Sequence, residues 1–447
     1  MKRRNFIGLL GNTSLALLAG SMTNAFGAKS DSNEFVFVEA EQFKDFGGWN
    51  IDQQSMERMG SPYLLAHGLG IPVEDATTTV TFPSEGTYRV WVRTKDWVAP
   101  WNAPGAPGKF QLKVNGKPIK EIFGTKGADW HWHDGKTIKV GKSAKLALHD
   151  LTGFEGRCEA ILFCKDLNFE PTNAIQALTK FRRKLNGLPD NPEFGGKFDF
   201  IVVGGGLAGT CAAISAARNG AKVALVQDRP VLGGNGSSEV RVWPEGHTNK
   251  EPYPHIGDIV KEILPDITKG SGQVFNGVSA EYYDDNLKLQ KVKEEPNITL
   301  FIENRAIEVK KTGDKITSIV IQHLRTAKHL ELKAPYFADC TGDATLGFKA
   351  GADYEYKVEN LMGSSNLFNV LDATNKEEVL KCECKDKSAL ALKCEVGNFA
   401  QPFPRCPWAL DLSDKPFPGR KSIGHGFLGG KSFRSHHKQG GFRIYFF

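Results

Sequence analysis

The stretch that most constrains this chain is Phe198 to Gly209, Phe-Asp-Phe-Ile-Val-Val followed by Gly-Gly-Gly-Leu-Ala-Gly. A short apolar run that ends on glycines reads as a buried strand. Beyond the glycines, Ala208, Cys211, Ala212, Ala213, Ala216 and Ala217 make a small-residue helix closed by Asn219-Gly220, and Lys222 to Val226 is a second strand. The spacing Gly204-x-Gly206-x-x-Gly209 alone says little. Between a strand and a helix, and with a second strand after it, it is a dinucleotide-binding βαβ unit. Gly204 permits the tight turn, Gly206 lets backbone approach a pyrophosphate, and Gly209 allows helix and strand to pack closely. Leu207 and Ala208 begin the helix whose N-terminus faces the phosphates. At the end of the second strand, where a ribose-binding acid is expected, the chain has Gln227 and then Asp228. Gln227 is expected to hydrogen-bond a ribose hydroxyl more weakly than a carboxylate would. Asp228 would have to point to the same face, which strand alternation disfavours.

Three later segments narrow the dinucleotide. Asp228-Arg229-Pro230-Val231-Leu232-Gly233-Gly234-Asn235 resembles the R-P-x-L-G-G continuation of FAD-dependent oxidoreductases with a glutathione-reductase-like nucleotide fold. Ala338-Asp339-Cys340-Thr341-Gly342-Asp343 resembles the A-T-G-D segment that returns to the FAD in that group. Ile298 to Val309, with Arg305-Ala306-Ile307, looks like the strand whose backbone touches adenine. The resemblance covers about 198–412. It implies FAD rather than NAD, held by Gly204, Gly206, Leu207, Ala208, Gly209, Gln227, Arg229, Gly233, Gly234, Ala306, Thr341, Gly342 and Asp343.

Gly233 to Trp243 is similar to the FAD-dependent oxidoreductases related to the flavin subunit of heterodisulfide reductase. In related flavoproteins this segment runs beside the flavin, so Glu239, Arg241 and His247 are candidates for substrate contact or proton transfer. The other reading of them is a structural ion pair and a surface histidine. Some relatives carry a [4Fe–4S] cluster, and Cys382, Cys384, Cys394 and Cys406 supply four late thiols spaced C-x-C-x9-C-x11-C. Four thiolates are the right number for a cluster, but the C-x2-C run is absent, and ordinary or incidental thiols are the favoured reading. Cys340 stands near the expected flavin without a redox partner in sequence.

Upstream, residues 34–165 read as β-structure: Thr77 to Phe82 and Thr87 to Arg93 alternate in period two, and Asn115-Gly116 marks a hairpin. Short strands without a long amphipathic helix point to a β-sandwich. Val38-Glu39-Ala40-Glu41-Gln42-Phe43 with Tyr88-Arg89-Val90-Trp91-Val92-Arg93 resembles carbohydrate-binding sandwich modules of xanthan-lyase-like and golvesin-like proteins. Trp97, Trp101, Trp130 and Trp132 are expected in loops, either stacking on sugar rings or packing the ends of the sandwich. His131 and His133 form a His-x-His pair that alone is a weak metal signal. Cys158 and Cys164 are expected in one strand, too far apart for a disulfide. Residues 166–197 are polar and rich in Gly and Pro, with a short helical pattern at Ala174 to Leu185, and read as a linker.

The two ends explain the charge. The chain is formally +6, with 57 basic and 51 acidic residues among 447. Three bases, Lys2, Arg3 and Arg4, precede an apolar stretch from Ile7 to Ala19 in residues 1–28, and seven more follow Asp414; neither end has an acid. Without them residues 29–414 are net acidic, so nucleic acid is not an expected partner. The N-terminal pattern resembles a twin-arginine export signal, and its apolar core falls short of the ~20 residues that span a bilayer. Periplasmic or cell-surface placement follows. From about 419 the chain is basic, aromatic and glycine-rich without a clear period. A frame change or a real anion-binding tail both account for it, and the oxidoreductase domain, 198–418, is expected to be incomplete at its C-terminus.

The expected architecture is thus a β-sandwich followed by an α/β Rossmann-like FAD domain. The expected activity is that of an exported FAD-dependent oxidoreductase acting on a sugar-related or other small molecule. The rival is a glycan-binding protein whose flavin domain is inactive.

Overall fold

Alternation builds the first region directly. In Gly86–Thr94, Tyr88, Val90 and Val92 point one way and are fully buried, while Trp91 points the other way. In the computed structural model, which describes residues 35–68, 71–101, 105–240, 251–265, 283–355, 368–372 and 442–446, eleven strands and one short helix make up this region. They are β1 (Phe35–Glu39), β2 (Asn50–Asp52), α1 (Met56–Met59), β3 (Tyr63–His67), β4 (Ala76–Thr81), β5 (Gly86–Thr94), β6 (Phe110–Val114), β7 (Lys117–Pro118), β8 (His131–Val140), β9 (Ser143–Asp150), β10 (Phe154–Cys158) and β11 (Ala160–Cys164). They form three antiparallel sheets, ordered β1-β11-β5-β8, β10-β3-β2 and β4-β9-β6-β7. One core joins all three, with Val90 and Phe163 from the first, Leu64 from the second, and Phe110 and Leu146 from the third.

The outer face of β5 is covered as well. Helix α2 (Ile175–Leu185) lays the fully buried Leu178 against Phe35, Trp91, Trp132 and Leu162. It also inserts Arg182, whose Nε lies 3.0 Å from Glu39 Oε1 and whose Nη2 pairs with Glu159. All three charged groups are buried, and Arg93 Nη1 donates to Glu159 Oε2 at 3.1 Å. Burial pushes the Glu39 carboxyl up, and Arg182, Asn186 and Arg93 pull it back. The expected linker is therefore packed structure, because its helix supplies both the apolar stripe and the counter-charge that this sheet face requires.

The second region begins at β12 (Glu193–Lys197) and continues through β13 (Phe200–Val203), α3 (Leu207–Arg218), β14 (Val223–Gln227), α4 (Asp258–Ile263), α5 (Asp285–Lys293), β15 (Ile298–Ile302), β16 (Asn304–Thr312), β17 (Lys315–His323), β18 (His329–Lys333), β19 (Tyr336–Asp339) and α6 (Thr345–Ala350). A parallel sheet has the order β15-β14-β13-β19, and a second has the order β12-β18-β17-β16. Val202, Val223 and Leu225 meet Ala213, Ile214 and Ala217 of α3 on one face of the parallel sheet. Ile201, Val203 and Val226 meet Ile319, Ile321 and Leu332 of the second sheet on the other. Burial on both faces explains why β13 and β14 are continuously apolar rather than alternating.

Local geometry departs from expectation in three places. Ile298 to Val309 is two strands rather than one, because Glu303 takes a positive φ of 54° and sends β16 into the other sheet. Cys158 and Cys164 lie on β10 and β11, in different sheets, and both are free. Inside the expected tail, β21 (Phe442–Phe446) pairs antiparallel with β20 (Phe368–Asp372). The expected export signal at 1–28 and the rest of the expected tail lie outside the described residues. Among the described residues no helix is long and apolar enough to cross a membrane.

Candidate functional site

The βαβ unit folds as its glycines require. A Cβ on Gly209 would lie 1.8 Å from the Gly204 carbonyl oxygen, so only glycine lets α3 sit this close to the turn after β13. Gly204 has φ +102°, and a Cβ there would lie 2.2 Å from the Cys340 carbonyl oxygen. The Gly-Gly-Gly turn is zipped to the second glycine pair. Gly233 N donates to Gly205 O at 2.8 Å, and Gly206 and Gly233 form a parallel bridge. A Cβ on Gly234 would be 3.1 Å from Gly206 Cα. Two stretches of bare backbone thus face each other across the start of α3, whose N-cap is Gly206 with no side-chain cap. Uncapped helix N–H groups beside bare backbone make a seat for an anion such as a pyrophosphate.

These loops wall a cavity of about 510 Å³, within the roughly 300–1,000 Å³ of small-ligand sites. Gly204, Gly206, Leu207, Ala208, Gln227, Arg229, Gly233, Gly234, Ala306, Thr341, Gly342 and Asp343 all line it. Of the residues expected around the cofactor, only Gly209 does not, lying instead beneath the turn. Segments separated by more than a hundred residues converge because β13, β14 and β19 are neighbours in the parallel sheet and their C-terminal ends share one edge. That edge is where open α/β sheets bind ligands.

Gln227 lines the cavity, and its amide also bonds the two turns beside it. It is buried, its Oε1 accepts from Gly205 N at 2.8 Å, and its Nε2 donates to Val231 O at 2.8 Å. Both ends of the amide serve as a strut between the first glycine turn and the approach to the second. Asp228 lines the cavity as well. The strand ends at Gln227, so alternation no longer governs the next residue. Burial pushes the Asp228 carboxyl above its ordinary range, against the pull of Arg305 and Arg229. Arg229 turns its guanidinium to Glu239, with Nε to Oε2 at 2.9 Å and Nη2 to Oε1 at 3.0 Å.

That two-pronged pair occupies the Glu239 carboxylate, so in this arrangement it holds Arg229 in place rather than standing free for proton transfer. Arg241 and His247 lie outside the described residues, as do Cys382, Cys384, Cys394 and Cys406. Among the described residues no group of three or more His, Cys, Asp or Glu side chains is placed to hold a metal. His131 Nδ1 lies 3.1 Å from the Asp129 carbonyl oxygen, and His133 is buried.

Several residues of the site carried no clear signal in sequence. Asp339 accepts from Thr341 N and Thr341 Oγ1 with one oxygen, at 3.1 and 2.7 Å, and from Gly347 N with the other, at 2.8 Å. It thereby shapes the turn that presents Thr341 to Asp343; only its place in Ala-Asp-Cys-Thr-Gly-Asp hinted at this. Asn304 and Arg305 line the cavity at the start of β16. The fully buried Lys288 lies behind Gly233 and donates to the Tyr283 carbonyl.

Of the two readings of the tryptophans, sugar stacking or packing, burial favours packing for Trp130 and Trp132. Trp130 and Trp132 are buried; Trp130 packs on Tyr63, and Trp132 lies in β8 with Nε1 donating to Thr172 O at 3.1 Å. For Trp132 the cause is the covering of the outer sheet face by α2, whereas Trp130 packs in a separate cluster with Met59, Tyr63 and Leu65. Trp97 is half-buried with Arg157 over its ring, and no side-chain placement is described for Trp101.

Residues 199–395 match the family model described as FAD dependent oxidoreductase. The fumarate reductase (cytochrome) of Shewanella frigidimarina (strain NCIMB 400) is 38% identical over 112 residues, 25% of this chain and 18% of that protein. The chain thus spans less than a fifth of that relative's length. A geranylgeranyl bacteriochlorophyll reductase-like protein from Thermoplasma acidophilum is 19% identical, covering 40% of this chain and 46% of that one, with a TM-score of 0.26. A family 35 carbohydrate binding module from Clostridium thermocellum is 16% identical, covering 29% of this chain and 96% of that one, with a TM-score of 0.23.

Proposed function

With residues 199–395 matching the FAD-dependent oxidoreductase family, we propose that the cavity at the ends of β13, β14 and β19 holds FAD in a Rossmann-like manner, and that the chain is an exported oxidoreductase of a small molecule. The observation that carries this reading is the convergence of both glycine loops and the Thr341–Asp343 turn on one cavity. The uncapped start of α3, with the bare backbone of Gly206 and Gly234, takes the pyrophosphate. Asp228 is the acid nearest the expected ribose, and Ala306 stands where adenine is expected. Thr341, Gly342 and Asp343 close the opposite wall. FAD, when bound, supplies the hydride and electron chemistry; the protein's residues hold it, orient it and keep water from it.

For the substrate, the resemblance of the first region to carbohydrate-binding modules makes a sugar-related molecule the first class to test. The N-terminal pattern makes the periplasm or cell surface the place to look. Purified full-length protein should show visible flavin absorbance or take up added FAD, with quenching of flavin fluorescence. Folded protein, judged by circular dichroism, that binds no FAD would refute the reading.

A further inference from the structure

The first β-region does not stand apart from the cavity. Gln53, which precedes α1, is buried, and its Nε2 donates to the Asp228 carbonyl oxygen at 2.8 Å across 175 residues of sequence. Its Oε1 faces Arg305 Nη1 at 3.5 Å. One turn on, Glu57 accepts from Arg305 Nη2 at 3.3 Å and from Lys349 Nζ at 3.0 Å. Gln322 Nε2 then donates to Gly60 O at 3.0 Å, fastening the end of α1 to the second sheet. Asp228 and Arg305, the two residues gripped from outside, both line the cavity. They stand at the end where a dinucleotide's ribose meets the second strand.

We propose that the N-terminal β-region completes the adenosine end of the cofactor site, with Gln53 and Glu57 as positioning residues that fix Asp228 and Arg305. The inference rests on the reading of the cavity as an FAD site. Gln53 sets the peptide from which the Asp228 side chain departs, and Glu57 draws the Arg305 guanidinium toward α1. Neither touches the ligand. The first region thus acts on the cofactor even where it binds no glycan.

The test uses the full chain and two probes, FAD and ADP, the latter carrying only the adenosine half. Gln53→Ala/Glu57→Ala and the near-isosteric Gln53→Glu, which replaces the donor to Asp228 O by a charged acceptor, are titrated beside the parent. Both variants should weaken FAD and ADP by the same factor, roughly tenfold for the double variant, with binding stoichiometry unchanged. A merely structural defect would lower the stoichiometry and leave the affinity of the folded fraction unaltered. Unchanged affinities in Gln53→Glu, or FAD weakened while ADP is not, would overturn the inference. A parent that binds ADP but not FAD would instead refute the flavin reading and leave the ADP comparison as the measure of this one.

Discussion

Replacing Gln227 by glutamate separates the two roles this position can have. As a ribose contact, a carboxylate would be the stronger acceptor, charge-assisted bonds being about twice as strong as neutral ones, and FAD would bind more tightly. As the strut observed here, the change is harmful. The new carboxylate still accepts from Gly205 N, but its other oxygen meets the Val231 carbonyl where an amide N–H donated at 2.8 Å. A neutral hydrogen bond of about 1 kcal/mol is lost, and a buried carbonyl is left facing negative charge at a further cost of about 1–3 kcal/mol. The expected total is therefore about 2–4 kcal/mol, seen in urea unfolding of the apoprotein. FAD affinity should fall with it, because the strut joins the two glycine turns. The cost should shrink as pH falls, since the introduced carboxyl, once protonated, can again donate to the Val231 carbonyl. Tighter FAD binding with unchanged apoprotein stability would refute the strut.

Other outcomes follow from the same geometry. Gly209→Ala puts a methyl group 1.8 Å from the Gly204 carbonyl oxygen; it should cost more than about 3 kcal/mol and abolish FAD uptake, read by thermal unfolding and flavin titration. Arg182→Met leaves the buried carboxylates of Glu39 and Glu159 without their shared cation, and should lower stability by about 3–5 kcal/mol in urea denaturation. Burial pushes the Glu155 carboxyl up, but bonds from His67 and Arg157 outweigh it and hold it at about 2. A depressed carboxylate stabilises the fold above its ordinary value and loses that contribution as pH falls through the lowered one. Stability should therefore drop between pH 4.5 and about 2, by no more than about 3 kcal/mol, and Glu155→Gln should flatten that limb of an acid titration followed by circular dichroism.

Much of the cavity at the glycine turns was legible because its code is local. Glycine spacing, a strand before it and a small-residue helix after it are read within thirty residues, and steric exclusion at Gly204 and Gly209 leaves few alternatives. Alternation in β5 likewise announced which of its residues face the core. Partners are what the sequence does not show. Gln227 was legible as the end of a strand but not as a strut, because Val231 and Gly205 reach it only through the folding of two turns. Trp132 reads as a loop residue because nothing near it in sequence shows that α2 will cover that sheet face.

By itself the sequence determined a dinucleotide turn, the β-character of the first region and the separation of charge between body and ends. Each of these is written in neighbouring residues, through φ restrictions, periodicity and composition. Only the tertiary structure decided that Asp228 lines the cavity beside Gln227, whose amide bonds its two neighbouring turns, that the helix within residues 166–197 is packed against the first region, and that Gln53 reaches across 175 residues to the residues of the cavity. Such contacts depend on which buried polar groups find partners once the chain is closed. No sequence period records that choice.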